Sequence, residues 1–145
     1  MISFGGIACA KGLWTPTVRG SSTAGTQSYS AQVGYWRIID TTFEAWFRLA
    51  LTAVDGSIAG NVQIGGLPFA PLTDAAMFWP GALSSVGLVT HSTFTQFGIR
   101  VASAAVVIDL LEFGLDSAAP AAAAVPTTAL AATSSFNGSI SYRIA

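Results

Sequence analysis

The chain has 145 residues, 52% apolar and only 9% charged, with a formal net charge of −1. That length supports one domain around one core, and the absence of any basic run excludes a nucleic-acid binder, which needs a cationic stripe. Soluble domains are typically about 25% charged, so either the chain enters a membrane or other chains cover much of its surface.

The membrane reading fails on length. A spanning helix needs about 20 consecutive apolar residues. The best run, Val101 to Leu111, is shorter and carries Asp109. The alanine-rich stretch from Ala118 to Ala132 is broken by Pro120 and Pro126. An outer-membrane barrel is the one membrane alternative left open, with the strands' lack of paired aromatic girdles counting against it, and the first ten residues have no basic segment of a secretory signal. Burial in an assembly is the expectation. Cys9 is the one cysteine; it excludes an internal disulfide and reads as a small apolar residue.

In chain order, residues 1–34 are rich in Gly, Ser and Thr and read as an arm or extended edge segment, with 1–12 as the arm proper and the domain running over 13–145. Trp14 and Thr15-Pro16-Thr17 anchor one extended piece. Tyr35 to Ile39 reads as a short strand. Phe43 to Leu51 puts Phe43, Ala45, Phe47, Leu49 and Leu51 on one face and Glu44, Trp46, Arg48 and Ala50 on the other. Asp55-Gly56 reads as a hairpin turn, after which Val62 and Ile64 share an inward face.

Gly65-Gly66 leads into no helix, so it is not a phosphate cradle. Instead Gly60 to Phe69 reads as a strand and its terminator. The glycines let the chain bend, Leu67 and Phe69 turn inward as plugs, and Pro68, with no N–H to give, ends the pairing. Gly60, Gly66, Leu67, Pro68 and Phe69 are therefore structural landmarks. Residues 72–80 read as a loop or short helix, and 84–92 and 93–102 as strands with a turn near His91. Over 104–113, β-branched Val106, Val107 and Ile108 favour a strand over a helix. Ile140, Tyr142 and Ile144 alternate with Ser141 and Arg143 in a last strand. About eight strands spaced by turn residues predict an all-β fold, an antiparallel β-sandwich or jelly roll.

The chain offers little chemistry. His91 is the single histidine, and no Cys, Asp or Glu stands at metal-ligand spacing from it. No cofactor is expected. Asp109 and Glu112, three apart on a strand, fall on opposite faces and cannot act as a glycosidase pair. Asp40 and Asp55 read as turn residues. No nucleophile elbow is present, so no enzymatic activity is expected. The aromatics are more informative. Trp14, Trp36, Trp46 and Trp79 are candidate interface or glycan contacts, with core and inter-subunit packing the stronger reading for most of them. Trp46 stands out because it lies opposite the Phe43, Phe47 and Leu49 face.

The order of several segments resembles the small β-sandwich modules of phage virions. These segments are Thr15-Pro16-Thr17, Tyr29, Gln32-Val33-Gly34-Tyr35, Gly60 to Phe69, and Phe136 to Tyr142. The resemblance spans residues 13–145. It implies a non-enzymatic structural protein at the virion surface and a homotrimer. With a short lead before the module and no coiled coil, the expected role is a capsid decoration, or cement, protein that binds the major capsid protein and stabilises the head. The alternative is a tail-fibre or receptor-binding module that recognises host surface glycan.

Overall fold

The computed structural model of the protein describes residues 2–4, 7–74, 76–88, 96–115 and 120–145. Within them the chain forms β1 (Ile2–Phe4), β2 (Ile7–Trp14), β3 (Thr17–Gly20), β4 (Ser28–Ile39), β5 (Thr42–Ala53) and β6 (Val62–Gly65). There follow β7 (Phe78–Val86), β8 (Gln96–Ala102), β9 (Ile108–Leu115), β10 (Pro120–Ala124) and β11 (Ser135–Arg143), with one 3-10 turn at Thr127–Ala129. All the strand pairs are antiparallel.

The all-β expectation holds, but the layered sandwich of about eight strands is replaced by one curled sheet, a half-barrel. Ten strands run in the order β1-β2-β4-β5-β11-β7-β8-β9-β6-β3, and β10 pairs with β9. The covalent chain forces the curl. From β2 to β3 is eight steps across the sheet, roughly 38 Å if flat at ~4.8 Å per strand. Yet only Thr15 and Pro16 join them, a link that reaches at most about 11 Å. The end of β2 and the start of β3 must therefore come together at one corner, although the two strands do not pair. The seam is fastened by side chains of β4: the Tyr29 hydroxyl accepts from the Val18 N–H at 2.8 Å, and Gln32 Nε2 donates to the Pro16 carbonyl at 2.9 Å.

The concave face holds a single core. From β5 it takes the five residues of the expected inward set, Phe43, Ala45, Phe47, Leu49 and Leu51. β6 adds Val62 and Ile64, and β11 adds Phe136, Ile140 and Tyr142. Each large side chain buried here contributes roughly 1.5–3 kcal/mol. An aromatic cluster closes one end: Phe43 lies 4.9 Å from Tyr142 and 5.6 Å from Phe69, and Trp36 lies 5.2 Å from Phe69 (ring centroids).

Val62, Ile64 and Leu67 are buried, Phe69 is partly buried against the core, and Pro68 is exposed. Gly66 has φ +97°, and a Cβ there would stand 2.4 Å from the Thr15 carbonyl oxygen. The terminator of β6 thus packs on the corner that closes the sheet.

Several local expectations are corrected. The arm boundary between residues 12 and 13 falls inside β2, whose Cys9 to Trp14 pair with β4. Small residues there escape an apolar-periodicity reading. Gly12 lies against the Trp36 ring and Gly34 against Trp14, so another residue's ring fills each place. β4 starts at Ser28, not Tyr35. Asp55-Gly56 makes a turn but no hairpin, since β5 and β6 do not pair. Its Asp55 carboxylate instead accepts from the N–H groups of Thr26 and Ser57, both at 2.8 Å, and these bonds hold its carboxyl below the usual range. Phe78 to Pro80, read as the end of a loop or short helix, open strand β7, which runs on to Val86 within the stretch read as a strand, and Pro120 to Ala124 is β10. His91 lies outside the described residues.

Candidate functional site

The β4–β5 hairpin has a register that decides what its convex face displays. Tyr35 stands opposite Trp46, Arg37 opposite Glu44, and Val33 opposite Arg48. β2 extends these rows with Leu13 beside Tyr35 and Lys11 beside Arg37. β11 extends them with Ser139 beside Trp46, Ser141 beside Glu44, and Asn137 beside Arg48. β7 adds Ala82 beside Ser139. One continuous row thus runs Leu13, Tyr35, Trp46, Ser139, Ala82, apolar and aromatic at one end and small at the other.

Trp46 is 40% exposed and Tyr35 56%. The backbone of Trp46 is tied down, because Trp14 Nε1 donates to its carbonyl at 3.2 Å. Its ring is steadied by the Arg37 guanidinium, 5.2 Å from the ring centroid, a cation–π contact. Arg37 also forms an ion pair with Glu44. The indole stands as a ridge between two shallow grooves. One, of about 420 Å³, is lined by Glu44, Pro80, Ala82, Ser139 and Ser141. The other, of about 510 Å³, is lined by Lys11, Leu13, Tyr35 and Arg37, with Trp36 reaching it. A fixed ring beside hydroxyls, a carboxylate and guanidinium groups can stack on one face of a sugar and hydrogen-bond its hydroxyls.

The four tryptophans therefore part company. Trp46 faces outward, as its parity in β5 requires. Trp14 is buried, and Trp36 and Trp79 are partly buried against the core. These three pack into or against the core, and Trp46 alone of the four candidates stands exposed. Sequence reasoning did not mark Tyr35, Lys11, Arg37 or Arg48 as site residues. The parity of β4 was legible, but the register that sets Tyr35 against Trp46 was not.

The carboxylates lie where parity put them. Asp109 faces outward, accepts from Gln63 Nε2 at 2.9 Å and lies 4.0 Å from Arg100 Nε. Glu112 turns into the core. Among the described residues no group of three or more His, Cys, Asp or Glu could hold a metal ion, and no helix is long and apolar enough to cross a membrane.

No protein-family model matches the chain, and no curated protein does. Among solved structures it is similar to the Dettilon tailspike protein (gp208), with a TM-score of 0.61 and 18% sequence identity. The match covers 91% of this chain and 23% of the tailspike chain. The two share a fold over nearly all of this chain, and the chain spans about a quarter of the length of that protein. The likeness is consistent with the phage-virion module that the sequence resembles.

Proposed function

We propose that this chain is a non-catalytic module of a phage tail spike or fibre, and that its convex β2–β4–β5–β11 face meets glycan on the host surface. The observation that carries this reading is the exposed, anchored Trp46–Tyr35 platform between two grooves. The fold shared with a tailspike supports a tail position. The capsid-decoration role expected from the sequence draws no comparable support, since nothing in the fold likeness points to a head protein.

The module assembles as a homotrimer in this reading. Support comes from the sparse charge and from apolar side chains left exposed on β7 and β9, including Phe78, Val86 and Phe113; exposed apolar patches mark contact surfaces. Mass measurement in solution tests the trimer, and a stable monomer at micromolar concentration contradicts it. The functional test is adsorption: added protein should compete with phage for host cells, and Trp46→Ala should abolish the competition. Cryo-EM of the virion that places the chain only on the head would overturn the tail reading.

A further inference from the structure

The charges are not spread evenly. The chain has six Lys and Arg residues, and four of them (Lys11, Arg37, Arg48 and Arg143) stand on the convex face of β2, β4, β5 and β11 by strand parity. All four are exposed. Glu44 is the one carboxylate in those strand rows; the other acid of the hairpin, Asp40, sits in its turn. The face therefore carries a formal charge of +3 on a chain whose net charge is −1. Moreover, Lys11 lies directly opposite Arg37, and like charges so placed are unfavourable in a sheet. Glu44 answers Arg37 through its ion pair. Among the described residues no carboxylate answers Lys11, Arg48 or Arg143.

The cations bracket the aromatic row. Two residues along a strand advance about 7 Å. The Lys11–Arg37 row thus lies about 7 Å to one side of Trp46, and Arg48 about 7 Å to the other. A hexose ring seated on the indole would carry its substituents toward both rows. Guanidinium groups bind carboxylates and phosphates through paired N–H donors.

We infer that the glycan taken by this face is acidic, a polysaccharide with uronate or phosphate groups. A sugar ring stacks on Trp46 while the acid groups reach Arg48 on one side and Lys11 with Arg37 on the other. This rests on the glycan-binding reading above and narrows it to one chemical class. A nucleic acid is the weaker occupant. Duplex DNA presents one negative charge per ~1.7 Å, and four cations spread over four strands with one aromatic pair are sparse for it.

The test uses the full chain against immobilised host-surface polysaccharides, neutral and acidic, with each uronate-bearing member also presented in its carboxyl-reduced, neutral form. The acidic form should bind, and its carboxyl-reduced counterpart should bind at least about tenfold more weakly. Raising NaCl from about 25 to about 250 mM should weaken only the acidic binding, as screening shortens the reach of each charge. Lys11→Gln with Arg48→Gln should remove the preference for the acidic form, while Arg100→Gln, on the other half of the sheet, should leave it. Equal binding of acidic and reduced forms would overturn the inference and leave glycan binding intact. Binding to no member of the panel would overturn both. Single-stranded DNA held as tightly as the acidic glycan, with the same loss in the double variant, would show a general polyanion surface and overturn the assignment to glycan.

Discussion

Gly66→Ala tests the closure of the sheet at one atom. The residue sits at φ +97°, and an added Cβ would meet the Thr15 carbonyl oxygen at 2.4 Å. Two costs add. Holding a non-glycine residue at such a φ costs about 1–3 kcal/mol, and forcing a group into a filled site typically costs a further ~1–3 kcal/mol. The clash is with backbone, so no rotamer change relieves it. Thr15 cannot retreat freely either, because the buried Pro16 beside it is bonded through its carbonyl to Gln32. The expected loss is about 2–6 kcal/mol, a large part of the ~5–15 kcal/mol that holds a domain together. Gly56→Ala is the matched control, since nothing lies within 4 Å of its added Cβ and its φ is not positive. That change should leave stability within about 0.5 kcal/mol or raise it slightly, by restricting the unfolded chain. Urea unfolding of both variants reads the difference as a shift in midpoint at constant slope. A Gly66→Ala protein as stable as the control would show that the Thr15–Pro16 corner is loose, and the account of the curled sheet would fail with it.

Three further outcomes follow from the same structure. Trp46→Ala should lower stability by about 1–3 kcal/mol, less than the ~3–5 kcal/mol typical of a fully buried aromatic, because the side chain is 40% exposed and the bond from Trp14 goes to its main-chain carbonyl, which alanine keeps; a loss in the full buried range by thermal unfolding would make Trp46 a packing residue and not a platform. Burial pushes the Tyr142 hydroxyl well above the ordinary tyrosine range, so the folded state holds its proton after the unfolded chain has released it. Stability should then fall as pH rises above about 10, and Tyr142→Phe should flatten that fall while losing about 0.5–1.5 kcal/mol at neutral pH with the bond to the Phe69 carbonyl. For Asp55 the sign reverses. Its carboxyl is held below the ordinary value by the N–H groups of Ser57 and Thr26, so its contribution is complete above about pH 4 and disappears as pH falls through the lower folded value; Asp55→Asn should remove that component of the acid-unfolding curve, and an unchanged curve would count against it.

The parts of the fold legible in sequence were those written within one strand. The alternation of Phe43, Ala45, Phe47, Leu49 and Leu51 sets the buried face of β5 and sends Trp46 outward. The odd offset of Asp109 and Glu112 separates them across the sheet. Where a strand is built of small or polar residues, its own pattern is silent. β2 and the first half of β4 are strands because of what packs on or pairs with them: Gly12 is covered by Trp36, Gly34 by Trp14, and Tyr29 and Gln32 fasten the seam. The single curled sheet was not legible for the same reason. It depends on β2 and β3 lying at opposite ends of the strand order, and no local period encodes that. The binding face illustrates the point most sharply, since Lys11, Arg37, Arg48 and Arg143 come from four strands and meet only in register.

That face also bears on why the charges sit where they do. A chain with 13 formal charges has few to spare, and sheet stability alone would favour placing opposite signs across strands, each such pair contributing roughly 0.2–1 kcal/mol. Arg37 and Glu44 follow that rule, as do Arg100 and Asp109. Lys11 breaks it by facing Arg37 directly, and Arg48 takes Val33 and Asn137 as its cross-strand neighbours. The two departures flank the one exposed tryptophan, on the same sheet face. Replacing Lys11 with Glu should therefore stabilise the free protein by up to about 1 kcal/mol, by turning the like-charge pair with Arg37 into an opposite-charge one, while weakening its hold on an acidic polysaccharide. Unfolding and binding measured on that single variant separate the two effects. If stability and binding fall together, Lys11 serves the sheet and not the ligand; if stability rises as binding is lost, the unfavourable pair is retained for recognition.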